Sequence, residues 1–212
     1  MENIQSFYND CHVTRSREDM ATYYDSWSSK YDEDLCAAGY RGPSIAAEAL
    51  AELYPDTRDT VYILDVASGT GLVGEQLVKQ GFLMIDALDP SQGMLDKAKS
   101  KGVYKGMICA YFNEKELDIK AGSYDAITIV GGCNDTHLTC GCLMEAIRLI
   151  KPGGFFLMCT RPMLLKKVED REPFETWMEN IEKEGKWKCI RKEIVPRYID
   201  KYDGVIFVYQ TI

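Results

Sequence analysis

Positive charge is in deficit, histidine is scarce and no long apolar run interrupts the chain. Each shortage excludes something. Lys and Arg total 25 against 33 Asp and Glu, a net charge of −8, and the basic residues gather into no patch. A phosphate backbone is therefore disfavoured as the main partner. No Asn-Pro-Pro-Tyr-type motif for base amino groups is present either, so the expectation is no nucleic acid. No apolar stretch approaches the roughly 20 residues of a membrane span, and the opening MENIQSFYND lacks the apolar core of a signal peptide. Repeats, low-complexity tracts and linkers are missing, so residues 1–212 are read as one domain, long enough for a sizeable core. Eight cysteines, mostly within apolar segments, look like reduced thiols rather than a disulfide framework. The expectation is a soluble cytoplasmic protein, with no membrane attachment, that takes a small-molecule substrate. A basic protein or peptide stays open as a substrate, and the oligomeric state is unspecified.

What is present is organised around residues 61–71, VYILDVASGTG. Strand-forming residues lead into Gly69-Thr70-Gly71 and then into an apolar-periodic helix. Glycine accepts positive φ and lets a ligand approach bare backbone. The helix start that follows offers unpaired N–H groups and a positive dipole end. Asp65 falls at the carboxyl end of the strand, where open α/β sheets bind ligands. Two readings compete. Gly69, Gly71 and Gly74 form a literal G-x-G-x-x-G with Asp89 placed to hold a ribose, which allows a nicotinamide-dependent oxidoreductase. A pyrophosphate would however meet the Asp65 carboxylate at a cost. A ligand with a cationic centre and no phosphate is attracted instead, and S-adenosylmethionine is such a ligand.

The remaining chain is read in order. Residues 1–17 are a polar, aperiodic lead-in. Met20, Tyr23, Tyr24, Trp27, Tyr31 and Leu35 recur at threes and fours, which predicts one helix over 18–35. Its aromatic stripe is either core or a lid over a ligand, and the two are compatible. Pro43 opens a second helix that runs to residue 53, so 1–55 is a helical lid segment and 56–212 a Rossmann-like core. Arg41, just before that helix, suits a two-pronged contact with a carboxylate, or is an ordinary surface arginine. Strands are predicted at 61–67, 83–88, 104–110, 126–130 and 155–160, with helices at 71–80, from about 91 to 101, at 139–150 and at 173–185. Such alternation is the mark of a parallel sheet with crossover helices. Two last strands, 187–195 and 204–210, read as an antiparallel hairpin joined by a polar turn containing Asp203-Gly204.

These pieces resemble the seven-stranded class I S-adenosylmethionine-dependent methyltransferases: LDVASGTG (64–71), ALDPSQGML (87–95), SYDAITIVGG (123–132) and LIKPGGFFLM (149–158). YDSWSSKYDEDL (24–35) with YRGPSIA (40–46) is similar to the Williams–Beuren-region methyltransferase-like proteins. The resemblance implies an α/β fold with a doubly wound, mostly parallel seven-stranded sheet, a C-terminal antiparallel hairpin and N-terminal lid helices. It implies methyl transfer, with S-adenosylhomocysteine as product. Asp65 and the backbone from Ala67 through Ser68 and Gly69 to Gly71 would then face the methionine part of the cofactor. Asp89 would accept both ribose hydroxyls. Pro90, Ser91 and Met94 would border the adenine. Arg41 would neutralise the amino-acid carboxylate, and Tyr24, Trp27 and Tyr31 would offer π faces to the sulfonium, each contact worth ~0.5–2 kcal/mol. Val130 joins the cofactor-binding set. Ser68 departs from the Gly or Cys usual there, and where the family often has an acid after the third strand this chain offers Asn113 for the adenine amino group.

Methyl transfer needs positioning and desolvation first, and a base only if the acceptor must lose a proton. His137, in the loop after the fourth strand and one of two histidines, is the candidate base, or else a surface histidine. Cys133, His137, Cys140 and Cys142 match no standard zinc spacing, so no metal is expected and packing thiols are the better reading. A third reading is a non-catalytic module that keeps the cofactor pocket and binds a partner.

Overall fold

The computed structural model describes residues 16–132, 138, 140–162 and 173–212. Its helices are α1 (Arg17–Trp27), α2 (Tyr31–Ala37), α3 (Gly42–Leu53), α4 (Leu72–Lys79), α5 (Gln92–Lys101), α6 (Cys142–Leu149) and α7 (Phe174–Lys183). Its strands are β1 (Tyr62–Val66), β2 (Met84–Asp89), β3 (Gly106–Cys109), β4 (Tyr124–Val130), β5 (Ile150–Thr160), β6 (Trp187–Ile199) and β7 (Tyr202–Thr211). They form one seven-stranded sheet in the order β3-β2-β1-β4-β5-β7-β6. The pairs from β3 to β5 are parallel, and β7 runs antiparallel to both β5 and β6. The doubly wound sheet with its terminal antiparallel pair is therefore as expected from the alternation of strand and helix patterns. The order reverses at β1, whose neighbours are β2 and β4, and ligand crevices open at such reversals.

Two apolar layers cover the sheet. One holds Leu64, Val66, Ile127, Ile129, Phe156 and Met158 against α6 and α7; the other holds Ile63, Ala126, Leu157 and Cys159 against α3 and α4. Successive strand residues alternate between the layers because side chains on a pleated strand have period two. In α3, Ala46, Ala47, Ala49 and Ala51 are buried, and such small side chains let the helix lie close to the sheet. On the other face Trp187 stacks on Tyr209 with ring centroids 4.5 Å apart and donates its indole N–H to the Met178 carbonyl at 3.0 Å. Trp187 is fully buried, so its one polar atom needs that partner.

Two expectations are corrected. The helix expected over 18–35 is two helices, broken at Ser28. Ser26 and Ser28 donate their hydroxyls to the carbonyls of Tyr23 and Asp25, local bonds that compete with helix continuation. The terminal hairpin turns at Asp200-Lys201, not at Asp203-Gly204. The side chain of Asp203 instead accepts from the Arg197 N–H at 3.0 Å across a bulge at Pro196–Tyr198, where a proline is tolerated in a strand. Gly204 lies within β7 because the Tyr198 ring packs over it, 2.7 Å from where a Cβ would stand.

Candidate active site

The carboxyl ends of β1, β2 and β4 surround a cavity of about 730 Å³, counted with its open mouth. From β1 and its loop come Val66, Ala67 and Gly69; from β2 and its loop Leu88, Asp89, Pro90, Ser91 and Met94. Tyr111 and Phe112 follow β3, while Val130, Gly131, Gly132 and Leu138 follow β4. Met20, Ala21 and Tyr24 of α1 and Tyr31 of α2 close the top.

Among the described residues of that lining, Asp89 is the charged one. Its two carboxylate oxygens accept from the Gly69 and Ser91 backbone N–H groups, both at 2.9 Å. Each oxygen keeps lone-pair capacity, so two hydroxyls of a ribose find two acceptors. Burial raises the Asp89 carboxyl to about 6, against the two hydrogen bonds that lower it, and Asp25 adds to the rise. Gly69 takes a left-handed φ of 54°, and a Cβ added there would meet nothing within 4 Å. That bare backbone faces open cavity, as a cradle for adenosine must. Ala67 shares the left-handed region at φ 54° without glycine's freedom, a strained conformation of the kind that gathers at functional loops.

Asp65 lies elsewhere. On β1 it follows Leu64 and precedes Val66, so its side chain points to the opposite face from theirs and does not line the cavity. It is fully buried, accepting from the Tyr104 hydroxyl at 2.6 Å and from the Thr128 hydroxyl at 3.1 Å. Burial lifts its carboxyl to about 7, the two hydrogen bonds opposing. Expected to face the cofactor's methionine part, this acid lies outside the described walls and accepts hydrogen bonds from within the protein. Gly71 and Gly74 serve the same arrangement: a Cβ on Gly74 would stand 2.6 Å from the Tyr104 ring, and one on Gly71 3.0 Å from it. The second and third glycines of the G-x-G-x-x-G therefore let a tyrosine across the start of α4. The diphosphate that the oxidoreductase reading needs would find that approach occupied.

The other expected residues divide. Tyr24, Tyr31, Ala67, Gly69, Asp89, Pro90, Ser91, Met94 and Val130 are brought together at the cavity; Trp27, Arg41, Ser68, Gly71 and Asn113 are not among its walls. Trp27 backs Tyr31 edge-on at 4.7 Å between ring centroids and donates its indole N–H to Asp34 at 2.7 Å. Arg41 is exposed and donates to the Pro196 carbonyl at 3.3 Å, in a separate groove with Glu48, Glu52 and Arg191. Among the described residues the buried Ser68 hydroxyl meets no hydrogen-bond partner. Asn113 closes a local turn, its side-chain oxygen accepting from the Lys115 N–H at 2.9 Å. Phe112, its neighbour, is a wall of the cavity instead. Met20 was legible as the residue one turn before Tyr24; Leu138 carried no such signal. His137 and Cys133 lie outside the described residues. Cys142 is buried in the core, with Cys140 packed against it.

Two lid carboxylates fasten α1 and α2 down. Asp25 accepts from the Ser91 hydroxyl and from the Gly93 N–H at 2.8 Å, at the start of α5. Asp32 accepts from the Thr70 hydroxyl and pairs with Lys101 at 2.8 Å, while Lys101 also pairs with Glu75 at 2.7 Å. Each lid helix is thereby tied to a loop that lines the cavity.

Comparison with known proteins follows the same lines. Residues 63–154 match a family described as a methyltransferase domain. The chain is 33% identical over 166 residues to human methyltransferase-like protein 27, covering 78% of this chain and 67% of that protein. It is 31% identical over 144 residues to the ubiquinone/menaquinone biosynthesis C-methyltransferase UbiE of Rhizobium meliloti, covering 65% of this chain and 55% of that one. The chain thus spans about two thirds of the first relative's length and about half of the second's. In fold it is similar to the 1,6-didemethyltoxoflavin-N1-methyltransferase of Burkholderia thailandensis, solved with bound 1,6-didemethyltoxoflavin and S-adenosylhomocysteine. The TM-score is 0.64 and the identity 15%, over 94% of this chain and 91% of that one.

Proposed function

We propose, from the premise that this chain belongs to the S-adenosylmethionine-dependent methyltransferases, in the family of methyltransferase-like protein 27, that it methylates a small-molecule acceptor. The observation that carries the proposal is the cavity's roof: two helices tied down by Asp25 and Asp32 over the Asp89 cradle. Such a roof over the cavity limits the room left beside a cofactor and favours a small acceptor. The toxoflavin and quinone methyltransferases that the chain is similar to have small molecules in their names. The net charge of −8 supports the same reading against a nucleic acid.

S-adenosylmethionine, when bound, supplies a methyl group already activated by a sulfonium. The chain's residues do the rest. Asp89 would accept the ribose hydroxyls, Gly69 would give the adenosyl group room, and Met94 and Phe112 would pack the adenine. Tyr24 and Tyr31 would set π faces toward a cation. The α1 and α2 cover would exclude water and hold the reactants together, which in-line displacement requires. His137 remains the proposed base for acceptors that must lose a proton.

The test is incubation of the purified chain with methyl-labelled S-adenosylmethionine and a small-metabolite extract, beside total RNA and a protein lysate. Label in a small product is expected. Label only in RNA or protein would overturn the acceptor class. Cofactor binding with no label anywhere would favour a binding module instead.

A further inference from the structure

We propose that Tyr198 and Tyr40 are positioning residues for methyl transfer: their phenol pair sets the Gly131 wall beside which methyl group and acceptor meet. The inference rests on the reading above in which Asp89 holds the cofactor's ribose.

The sheet order gives that wall its importance. Asp89 ends β2, and Tyr111 and Phe112 follow β3 on one side of it. Val130 and Gly131 lie on the other side, past β1, at the end of β4. With the ribose on Asp89 and the adenine toward Phe112, the sulfonium end of the cofactor is directed to the β4 side. There the acceptor's lone pair forms the bond to the methyl carbon while the carbon–sulfur bond breaks with both electrons kept by sulfur. Any proton on the acceptor passes to water or to the base. In-line displacement is sensitive to its surroundings, since a misplacement of about 1 Å can cost about a hundredfold in rate.

Gly131 takes a left-handed φ of 73° and donates its N–H to the Cys159 carbonyl at 3.0 Å. The same carbonyl accepts from the Tyr198 hydroxyl at 3.1 Å, so each of its two lone pairs has a donor. Having given its proton there, the Tyr198 oxygen accepts from the Tyr40 hydroxyl, also at 3.1 Å. The Tyr40 oxygen in turn fills the space of the side chain that Gly131 lacks, 2.7 Å from where its Cβ would stand. A bulge brings Tyr198 to this place: β6 shifts register between Val195 and Ile199, Arg197 takes a left-handed φ of 53°, and Tyr198 is buried. Bulges re-aim side chains beside active sites, and left-handed non-glycine residues gather at such sites. The backbone joins the pair to the lid as well. Arg41 donates its N–H to the Tyr198 carbonyl at 2.8 Å, Tyr40 to Leu35 of α2 at 3.0 Å, and Asp200 to Ala38 at 2.9 Å. Terminal hairpin, lid end and cavity wall thus share one hydrogen-bonded joint. Neither phenol is among the described walls, so the pair acts through Gly131.

The experiment uses the full chain, methyl-labelled S-adenosylmethionine and the acceptor that takes label in the extract assay. Wild type, Tyr198→Phe and Tyr40→Phe are compared with Tyr62→Phe as the control. Tyr62 donates its hydroxyl to Asp86 at 2.8 Å at the amino end of β1, the end away from the cavity. In Tyr198→Phe kcat should fall about tenfold or more and in Tyr40→Phe about threefold or more, with the cofactor KM and S-adenosylhomocysteine affinity within about twofold. Tyr62→Phe should lose stability and keep its kcat, because a lost phenol hydrogen bond alone does not move the wall. An unchanged kcat in Tyr198→Phe overturns the proposal, as does an equal fall in Tyr62→Phe or a loss that lies wholly in the cofactor KM. Where Tyr198→Phe does not fold, Tyr40→Phe decides by the same criteria. Label in RNA or protein overturns the small-molecule acceptor alone, and the comparison is then made on that product. A wild type that labels nothing overturns methyl transfer and this proposal together, whereas failure in the variants strikes only this one.

Discussion

The Tyr104 hydroxyl donates to Asp65 at 2.6 Å by passing its ring over Gly71 and Gly74, so the acid of the glycine-rich motif is satisfied inside the protein. Thr128, its register partner on β4, completes the shell at 3.1 Å. The Tyr104 ring thus lies against Gly71 and Gly74, while Gly69 of the same bend lines the cavity.

Stability should depend on the ionisation of Asp65. Its carboxyl titrates at about 7 in the folded chain against an ordinary 3.8. Between those values the folded state holds a proton that the unfolded state has lost. The contribution is therefore full below the unfolded value and is lost as pH rises through the folded one. Asp89, at about 6, acts with the same sign. Urea unfolding from about pH 5 to about pH 8.5 should show stability falling, with a shallower fall and equal or higher stability at the alkaline end in Asp65→Asn. Parallel curves for the two proteins would show that Asp65 ionises normally.

Tyr104 and Gly74 should be energetically coupled. Tyr104→Phe removes a hydrogen bond to a buried carboxylate and should cost about 1.5–3 kcal/mol above pH 7. Gly74→Ala places a methyl 2.6 Å from the ring and should cost about 1–3 kcal/mol by overpacking. In a Tyr104→Ala background that second cost should largely vanish, and a double-mutant cycle measures the difference. Additive losses would mean that the ring does not need the glycine.

Asp89→Ala should weaken S-adenosylhomocysteine binding by about 1.5–3 kcal/mol in calorimetry. Wild-type affinity should also fall as pH drops through about 6, where the carboxyl takes up its proton. A flat pH profile together with an unaffected alanine variant would remove Asp89 from the site.

The lid ties should control cofactor exchange more than affinity for the acceptor. Asp25 is exposed and the Asp32 side chain is 41% exposed, so screening limits each tie to about 0.5–1 kcal/mol. Asp25→Ala and Asp32→Ala should each speed S-adenosylhomocysteine release about two- to fivefold in stopped flow, with a smaller difference at high salt. Identical release rates would mean that α1 and α2 do not gate the cavity.

Tyr24 and Tyr31 should discriminate by charge. Replacing either with Leu should cost S-adenosylmethionine about 0.5–2 kcal/mol of affinity and the neutral S-adenosylhomocysteine much less. Equal losses for the two ligands would assign the rings to packing alone.

Local and periodic features were legible without coordinates. Strand–helix alternation and the punctuating glycines and prolines gave the sheet, because hydrophobic period and turn chemistry are written residue by residue. That Asp89, Ser91 and Met94 line the cavity was readable for the same reason: they end a strand and open a helix, and that junction lies at a fixed place in such a fold. Where a side chain points across the fold was not readable. Asp65 was read as a cofactor contact, and nothing along the chain announced that it accepts from Tyr104, 39 residues away. Gly71 and Gly74 looked like room for a phosphate and proved to be room for that same ring. Arg41 looked like a carboxylate ligand but reaches Pro196, 155 residues on. The grouping of Tyr40, Tyr198 and Gly131 joins three distant segments. Sequence alone determined which elements form and which junctions meet at the sheet's carboxyl edge, since those follow from neighbours along the chain. Tertiary structure decided which polar groups face the cavity and which are spent on one another, since a buried donor or acceptor takes the partner that folding brings to it.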